Sequence, residues 1–203
     1  MRIAVSDLLF PGFRKFGVRP LSTEYGIEFF YEFGHDYYWD EETAAWGNRE
    51  FSIHGPCVAV DLADKDNLNY LPAFEATFKY AQKINSQFVV VHTNECLPAD
   101  KEAGQELVIS RLAELLDMAK AYGVTLVIEN VGLRTKGNVL FTLEEYYALF
   151  ERFPQAMSLI DTGHAHVNGW DIPAVVEKLG DKLFAFHIHD NDGEGDDHLP
   201  VWQ

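Results

Sequence analysis

Five short apolar runs of this chain each end in a residue that can bind a metal ion. They are F-S-I-H at His54, F-V-V-V-H at His92, L-V-I-E at Glu129, M-S-L-I-D at Asp161 and F-A-F-H at His187. A histidine alone at such a place is more often a hydrogen-bonded structural residue than a ligand. The carboxylates are harder to explain away. Glu129 follows Leu126, Val127 and Ile128, and Asp161 follows Ser158, Leu159 and Ile160, so both are drawn into an apolar interior. A carboxylate there must be paired or bound to a cation. Five such ends together point to a site. The adjoining loops add His164, His189, Asp196 and His198, and only His35 and His166 of the eight histidines fall outside the set. Imidazole with carboxylate suits zinc, manganese, iron or cobalt better than calcium, and the lack of a cysteine in the set argues against a structural zinc.

Such residues need a scaffold that brings strand ends to one point. The sequence predicts strands over Arg2 to Ser6, Gly26 to Phe33, Phe51 to His54, Phe88 to His92, Thr125 to Asn130, Met157 to Asp161 and Leu183 to His189. β-Branched and aromatic residues dominate several of them, as buried parallel strands require. Amphipathic segments lie between. Leu71 to Asn85 carries Phe74, Phe78, Ala81 and Ile84 at helical spacing, and Gln105 to Tyr122 carries Leu107, Leu112, Leu115, Leu116 and Ala119 before Gly123 stops it. Thr142 and Glu145 form a capping-box pattern ahead of a helix from Leu143 to Phe153, and Ile172 to Leu179 reads as a short helix closed by Gly180. The segment Asp7 to Tyr25 holds Pro11, Gly12, Gly17 and Pro20, so the first helix is expected to be short or absent.

Strand alternating with helix predicts an α/β fold with a parallel sheet and right-handed crossovers. No Gly-rich phosphate fingerprint follows any strand, which disfavours a dinucleotide-binding fold. A (β/α) TIM-type barrel fits, with active residues at the C-terminal strand ends. It reads as incomplete, with seven strands and no eighth before Gln203, where a full barrel takes about 250 residues. Residues 1–203 are expected to form one domain. The open edges of strands one and seven invite pairing, so a homo-oligomer or a covered edge is expected.

At 47% hydrophobic and 14% aromatic residues, the chain has enough apolar material to fold by itself. It has no apolar run long enough to span a bilayer, and its start lacks the order of a signal peptide, so a cytoplasmic location is the default expectation. A formal charge of −16 repels a phosphate backbone at long range and argues against nucleic-acid binding, although a metal cluster can reverse the field inside one cleft. Cys57 and Cys96 sit in no C-x-x-C pattern and read as small buried residues near strand ends.

In this order, H-G-P at His54, V-V-V-H at His92, I-E-N at Glu129, D-T-G-H from Asp161 to His164, and H-I-H-D-N-D-G followed by D-D-H-L-P resemble the xylose isomerase-like barrels. That superfamily holds sugar isomerases and epimerases, inosose dehydratase-type enzymes and the apurinic endonuclease IV group. The resemblance implies that Glu129, Asp161 and His187 ligate the principal metal, manganese, magnesium, cobalt or zinc, with His189 as the reserve in a second register. It implies that His164 is a second-metal ligand or touches substrate. His54, His92, Asp196 and His198 match the additional ligands of the endonuclease-type members. The family's last metal-binding Glu lies on strand eight, which this sequence does not reach.

Three functions follow. A sugar or sugar-phosphate isomerase or epimerase would act through an enediolate, with Glu129 moving the proton and His164 as a further catalytic residue. An endonuclease IV-like phosphoesterase is the alternative, favoured by the number of His and Asp ligands. A non-catalytic sugar- or metal-binding barrel is the third. Arg134 and Lys136 could bind a phosphate or sugar hydroxyl, or be solvated loop charges. Tyr37, Tyr38, Trp39 and Trp46 are placed in the loop after strand two, where Trp39 could wall a sugar pocket or simply pack. Glu28 and Glu32 share one face of strand two; one of them could point into the barrel, and a solvated face is the expectation weighed above that.

Overall fold

The computed structural model describes residues 2–9, 17–32 and 34–201. Seven strands form one parallel sheet: β1 (Ala4–Ser6), β2 (Gly26–Phe30), β3 (Phe51–His54), β4 (Val89–Val91), β5 (Leu126–Glu129), β6 (Met157–Asp161) and β7 (Leu183–His187). Their spatial order is their order in the sequence. The sheet curls as part of a TIM-type barrel. Among the described residues no ladder joins β7 back to β1, and Phe184, Phe186 and Ile188 remain exposed on and just after the last strand.

The helices α1 (Asp36–Trp46), α2 (Tyr70–Ile84), α3 (Lys101–Tyr122), α4 (Leu143–Arg152), α5 (Thr162–Val167) and α6 (Ile172–Leu179) connect the strands. Local chemistry sets their ends. Asp100 accepts a hydrogen bond from the Ala103 amide at the start of α3, and Gly123 ends it at φ 69°. The capping box of Thr142 and Glu145 is formed at α4. Asp171 caps α6, where Pro173 fits the first turn because no helical partner exists there for its missing N–H. Among the described residues, no helix is long and apolar enough to cross a membrane.

Side chains alternate across each strand and so build two environments. Ile27, Phe29, Ile53, Val91, Ile128 and Ile160 face the helices and join Phe74, Phe78, Leu112, Leu115 and Tyr146 in the main core. On the inner face Val90, Val127 and Leu159 are fully buried and pack with Phe88, Met157 and Ala185. Each such buried Val or Leu contributes about 1.5–3 kcal/mol. This dry plug forms the floor beneath the strand ends.

Two expectations need correction. The aromatic segment placed in a loop after strand two is the helix α1. Trp39 and Trp46 are its core residues, 5% and 2% exposed, and Trp39 packs 4.4 Å from Phe29 between ring centroids. The adjacent rings of Tyr37, Tyr38 and Trp39 obscure a helical period that only every third or fourth residue carries. Cys96, expected to be buried, is exposed, while Cys57 is buried. The expectation of a short or absent first helix falls largely on residues 10–16, outside the described residues, as does Phe33 at the end of the predicted second strand.

Candidate metal centre

One layer above the plug, the inner positions change from apolar to ionisable. Two residues beyond Val127 on β5 is Glu129, two beyond Leu159 on β6 is Asp161, and two beyond Ala185 on β7 is His187. Period-two alternation therefore places all three on the inner face at the C-terminal edge. The β6–β7 register sets Asp161 beside His187. His54 ends β3, and His92 follows β4 directly.

Glu129 is the centre of this layer. It is 2% exposed. Its Oε2 lies 3.1 Å from His92 Nε2, 3.4 Å from His187 Nδ1 and 3.6 Å from His54 Nε2, and its Oε1 lies 3.5 Å from His164 Nδ1. Burial raises its pKa, but the charges of His187 and His92 outweigh that and hold the carboxyl well below the usual carboxylate range.

Four imidazoles are held from behind. His54 Nδ1–H donates to the Gly55 carbonyl at 2.9 Å, and His92 Nδ1–H donates to Glu95 Oε1 at 2.7 Å. His164 Nδ1–H donates to the Asn130 carbonyl at 3.0 Å, and His187 Nε2–H donates to Glu28 Oε1 at 2.8 Å. Carbonyl and carboxylate oxygens only accept, so each of these nitrogens carries the proton. The opposite nitrogens, His54 Nε2, His92 Nε2, His164 Nε2 and His187 Nδ1, face the cluster. Metal-ligating histidines share this arrangement.

Among the described residues, donor atoms fall into three groups, each within 4.8 Å of one another: Glu129, Asp161 and His187; His54, Cys57 and His92; and His189, Asp196 and His198. Both registers of the H-I-H motif are therefore used, His187 in one group and His189 in another. His189 also keeps its Nε2 2.9 Å from Asp161 Oδ2. Asn130 brackets Asp161, accepting from its amide at 2.6 Å and donating to its carbonyl at 3.1 Å. Asp161 Oδ1 in turn accepts from the His164 amide at 2.7 Å, which starts α5 and aims His164 inward.

The third group sits on a loop pinned at its base. Asp190 and Leu199 exchange backbone hydrogen bonds of 2.7 and 2.8 Å, and Asn191 donates to the Gly163 carbonyl at 2.9 Å. His198 adopts φ 50°, a left-handed conformation that costs free energy for a residue other than glycine. Its ring stacks on His189 at 4.1 Å between centroids. Gly163 is needed for close approach, because a Cβ there would fall 2.0 Å from His189 Cε1.

These residues fit a divalent cation. Among the described residues, Asp196 Oδ1 and His189 Nδ1 are buried without a hydrogen-bond partner. An unsatisfied buried polar atom costs about 1–3 kcal/mol, which a cation would offset. The imidazole–carboxylate donor set suits zinc, manganese or cobalt. Burial opposes the charged form of His92, but Glu129 and Glu95 outweigh it and push the pKa up to about 10. For His164, burial is likewise outweighed, by Asp196, Asp161 and Glu129, and the pKa is pushed up to about 9.

The remaining candidates lie elsewhere. Arg134 spends its guanidinium on the Val167 carbonyl and its amide on Asn168 Oδ1 at 2.8 Å. Lys136 is exposed on the following turn, and Trp39 is in the core behind β2. Three residues were not singled out as ligands or their supports. Cys57 brings a thiol to His54 and His92, and burial with Glu95 and Glu32 pushes that thiol's pKa up. Glu28, expected on a solvated face, is 5% exposed and points inward. Glu32 accepts from the amides of Cys57, Val58 and Ala59 at 3.0–3.2 Å, fixing the loop after β3.

A curled parallel sheet with imidazole and carboxylate donors at its C-terminal ends defines a TIM-type barrel with a candidate metal centre. The chain belongs to the xylose isomerase-like TIM barrel family, whose model matches residues 26–203. It is 25% identical over 159 residues to the uncharacterized protein MJ1614 of Methanocaldococcus jannaschii, covering 75% of this chain and 60% of that protein's length. A D-tagatose 3-epimerase-like protein superposes with a TM-score of 0.78 at 21% identity, over all of this chain and 81% of the other. An AP endonuclease, family 2, from Brucella melitensis gives 0.75 at 17% identity, over 93% and 79%. At these identities the structural likeness shows the fold.

Proposed function

We propose that this chain carries the active centre of a divalent-metal-dependent sugar or sugar-phosphate isomerase or epimerase. The observation that carries the reading is the position of Glu129: a buried, ionised carboxylate on the barrel's inner face, facing four imidazoles and grouped with Asp161. The likeness to a D-tagatose 3-epimerase-like protein supports a sugar, and the net charge of −16 favours a neutral substrate over a polyanion. A bound cation supplies Lewis acidity, which lowers the cost of an enediolate. Glu129 takes the proton from the carbon beside the carbonyl and delivers it to the former carbonyl carbon of the enediolate, which interconverts ketose and aldose, whereas inversion at a single carbon needs a second acid on the opposite face. His164, fixed by Asn130, presents Nε2 to a substrate hydroxyl. The valine and leucine floor excludes water from below.

A phosphoesterase is the second reading, favoured by the three donor groups, since a multinuclear centre suits in-line displacement at phosphorus. One experiment separates the two. The protein, loaded with Mn²⁺, Co²⁺, Mg²⁺ or Zn²⁺, is incubated in D₂O with a panel of ketoses and, separately, with an abasic oligonucleotide. Deuterium entering a ketose beside its carbonyl supports the isomerase. Cleavage of the oligonucleotide without such exchange supports the phosphoesterase and overturns the first reading.

A further inference from the structure

We propose that Glu28 is a positioning residue for the candidate metal centre, holding the His187 ring so that Nδ1 faces Glu129 and Asp161. The inference rests on the metal-dependent reading above and extends it to a residue outside the three donor groups.

Glu28 lies on β2, on the same inner face as the apolar plug. A carboxylate buried to 5% exposure there is costly unless it is paired. Two side chains account for it. Its Oε1 accepts from His187 Nε2 at 2.8 Å, and its Oε2 accepts from Ser52 Oγ at 3.0 Å. Ser52 is its register partner on β3, so the carboxylate is fixed at one end by the sheet itself. The other contact spans 159 residues and joins β2 to β7, which share no ladder. Strand pairing therefore does not explain it.

Its place on the ring decides between two roles. A carboxylate could supply a missing ligand to the cation, or it could orient the histidine that does. Glu28 meets Nε2, whereas Nδ1 is the nitrogen 3.4 Å from Glu129 Oε2 and 3.9 Å from Asp161 Oδ2. Glu28 thus stands behind the ring, opposite the donor group. From there it fixes the tautomer, holds the ring plane and makes Nδ1 a stronger donor. His54, stacked on His187 at 5.9 Å and 18° between planes, limits the ring from one side.

The test is metal affinity. Metal-free wild-type, Glu28→Gln, Glu28→Ala, Ser52→Ala and His187→Ala proteins are titrated with Co²⁺ and Zn²⁺ against a chelator, with circular dichroism and a thermal melt of each metal-free protein. We expect both Glu28 variants to weaken one bound cation by about 10–100-fold and Ser52→Ala to weaken the same one less. ¹⁵N NMR of the Zn²⁺-loaded proteins reads which His187 nitrogen holds the cation, which should be Nδ1 in wild type and mixed in Glu28→Ala. Wild-type affinity at every site in both Glu28 variants, while His187→Ala loses a cation, would overturn the proposal and leave Glu28 as a tie between strands. Should wild type bind no divalent cation, the metal reading itself fails, and the proposal falls with it. Glu28→Gln preserves shape and Ser52→Ala preserves the carboxylate, so the comparison stands even where Glu28→Ala does not fold.

Discussion

His54 Nε2 and His92 Nε2 face one another across 3.1 Å, with Glu129 in reach of both. Each ring has already given its Nδ1–H to an oxygen, so two lone pairs would meet there. Only a proton or a cation between them makes the contact favourable. A proton serves in the metal-free protein, because His92 titrates near 10. A bound cation would replace that proton.

Glu129 should be the most sensitive position. Glu129→Gln keeps the shape and removes the charge that faces both nitrogens and His187. Bound metal per chain should fall for the groups around His54–His92 and Asp161–His187, and turnover should fall by at least about 100-fold. Elemental analysis of the folded variant checks the first, and unchanged metal content would refute the assigned role.

Proton release should accompany metal binding. The raised values of His92 and His164, about 10 and about 9, leave both protonated at neutral pH without metal. Loading a cation at His92 then releases a proton, and affinity weakens as pH falls. For the metal-free fold the sign is fixed by linkage. Both groups stabilise it fully below their ordinary value of 6.5, and that contribution is lost as pH rises through about 9 to 10. Thermal melts in chelator should drop across that window and recover on adding Zn²⁺. A melt independent of pH there would contradict the assignment.

Much of this centre was legible because its chemistry is written at strand ends. β3 and β6 have the expected bounds, and Glu129, Asp161 and His187 converge as a parallel barrel requires. Other parts were hidden for physical reasons. Whether Glu28 points in or out depends on its pairing with Ser52, a fact about a neighbouring strand. One local signal existed: Ile27, Phe29 and Tyr31 are apolar on the opposite face, and that face is the core. Helix α5 is only six residues, T-G-H-A-H-V, too short to show a period, and it starts because Asp161 caps it. Cys57 follows His54 by three residues across a turn, a spacing that carries weight only once the turn is known.

Gly163→Ala should act first on the metal group that contains His189. The new methyl would overlap the His189 ring and displace it from Asp196 and His198. Metal at that group should be lost while the His54–Cys57–His92 group keeps its own, read by elemental analysis and a crystal structure of the variant. Full occupancy in Gly163→Ala would show that His189 is not a ligand.

Tyr146→Phe tests the scaffold rather than the site. The Tyr146 hydroxyl, buried behind β5 and β6, lies 2.8 Å from the Ile128 carbonyl, 2.7 Å from Ser158 Oγ and 3.1 Å from the Leu159 carbonyl. Its removal leaves buried acceptors short of a donor and should cost about 1–3 kcal/mol in urea denaturation, with metal content unchanged. A neutral change would mean that the strands hold their register without it.

The most direct test is anomalous scattering from a crystal soaked in Mn²⁺ or Zn²⁺, recorded on both sides of the metal's absorption edge. A peak bonded to Glu129, Asp161 and His187 Nδ1 is the expected result. Ordered side chains with no peak among those three residues would contradict the account.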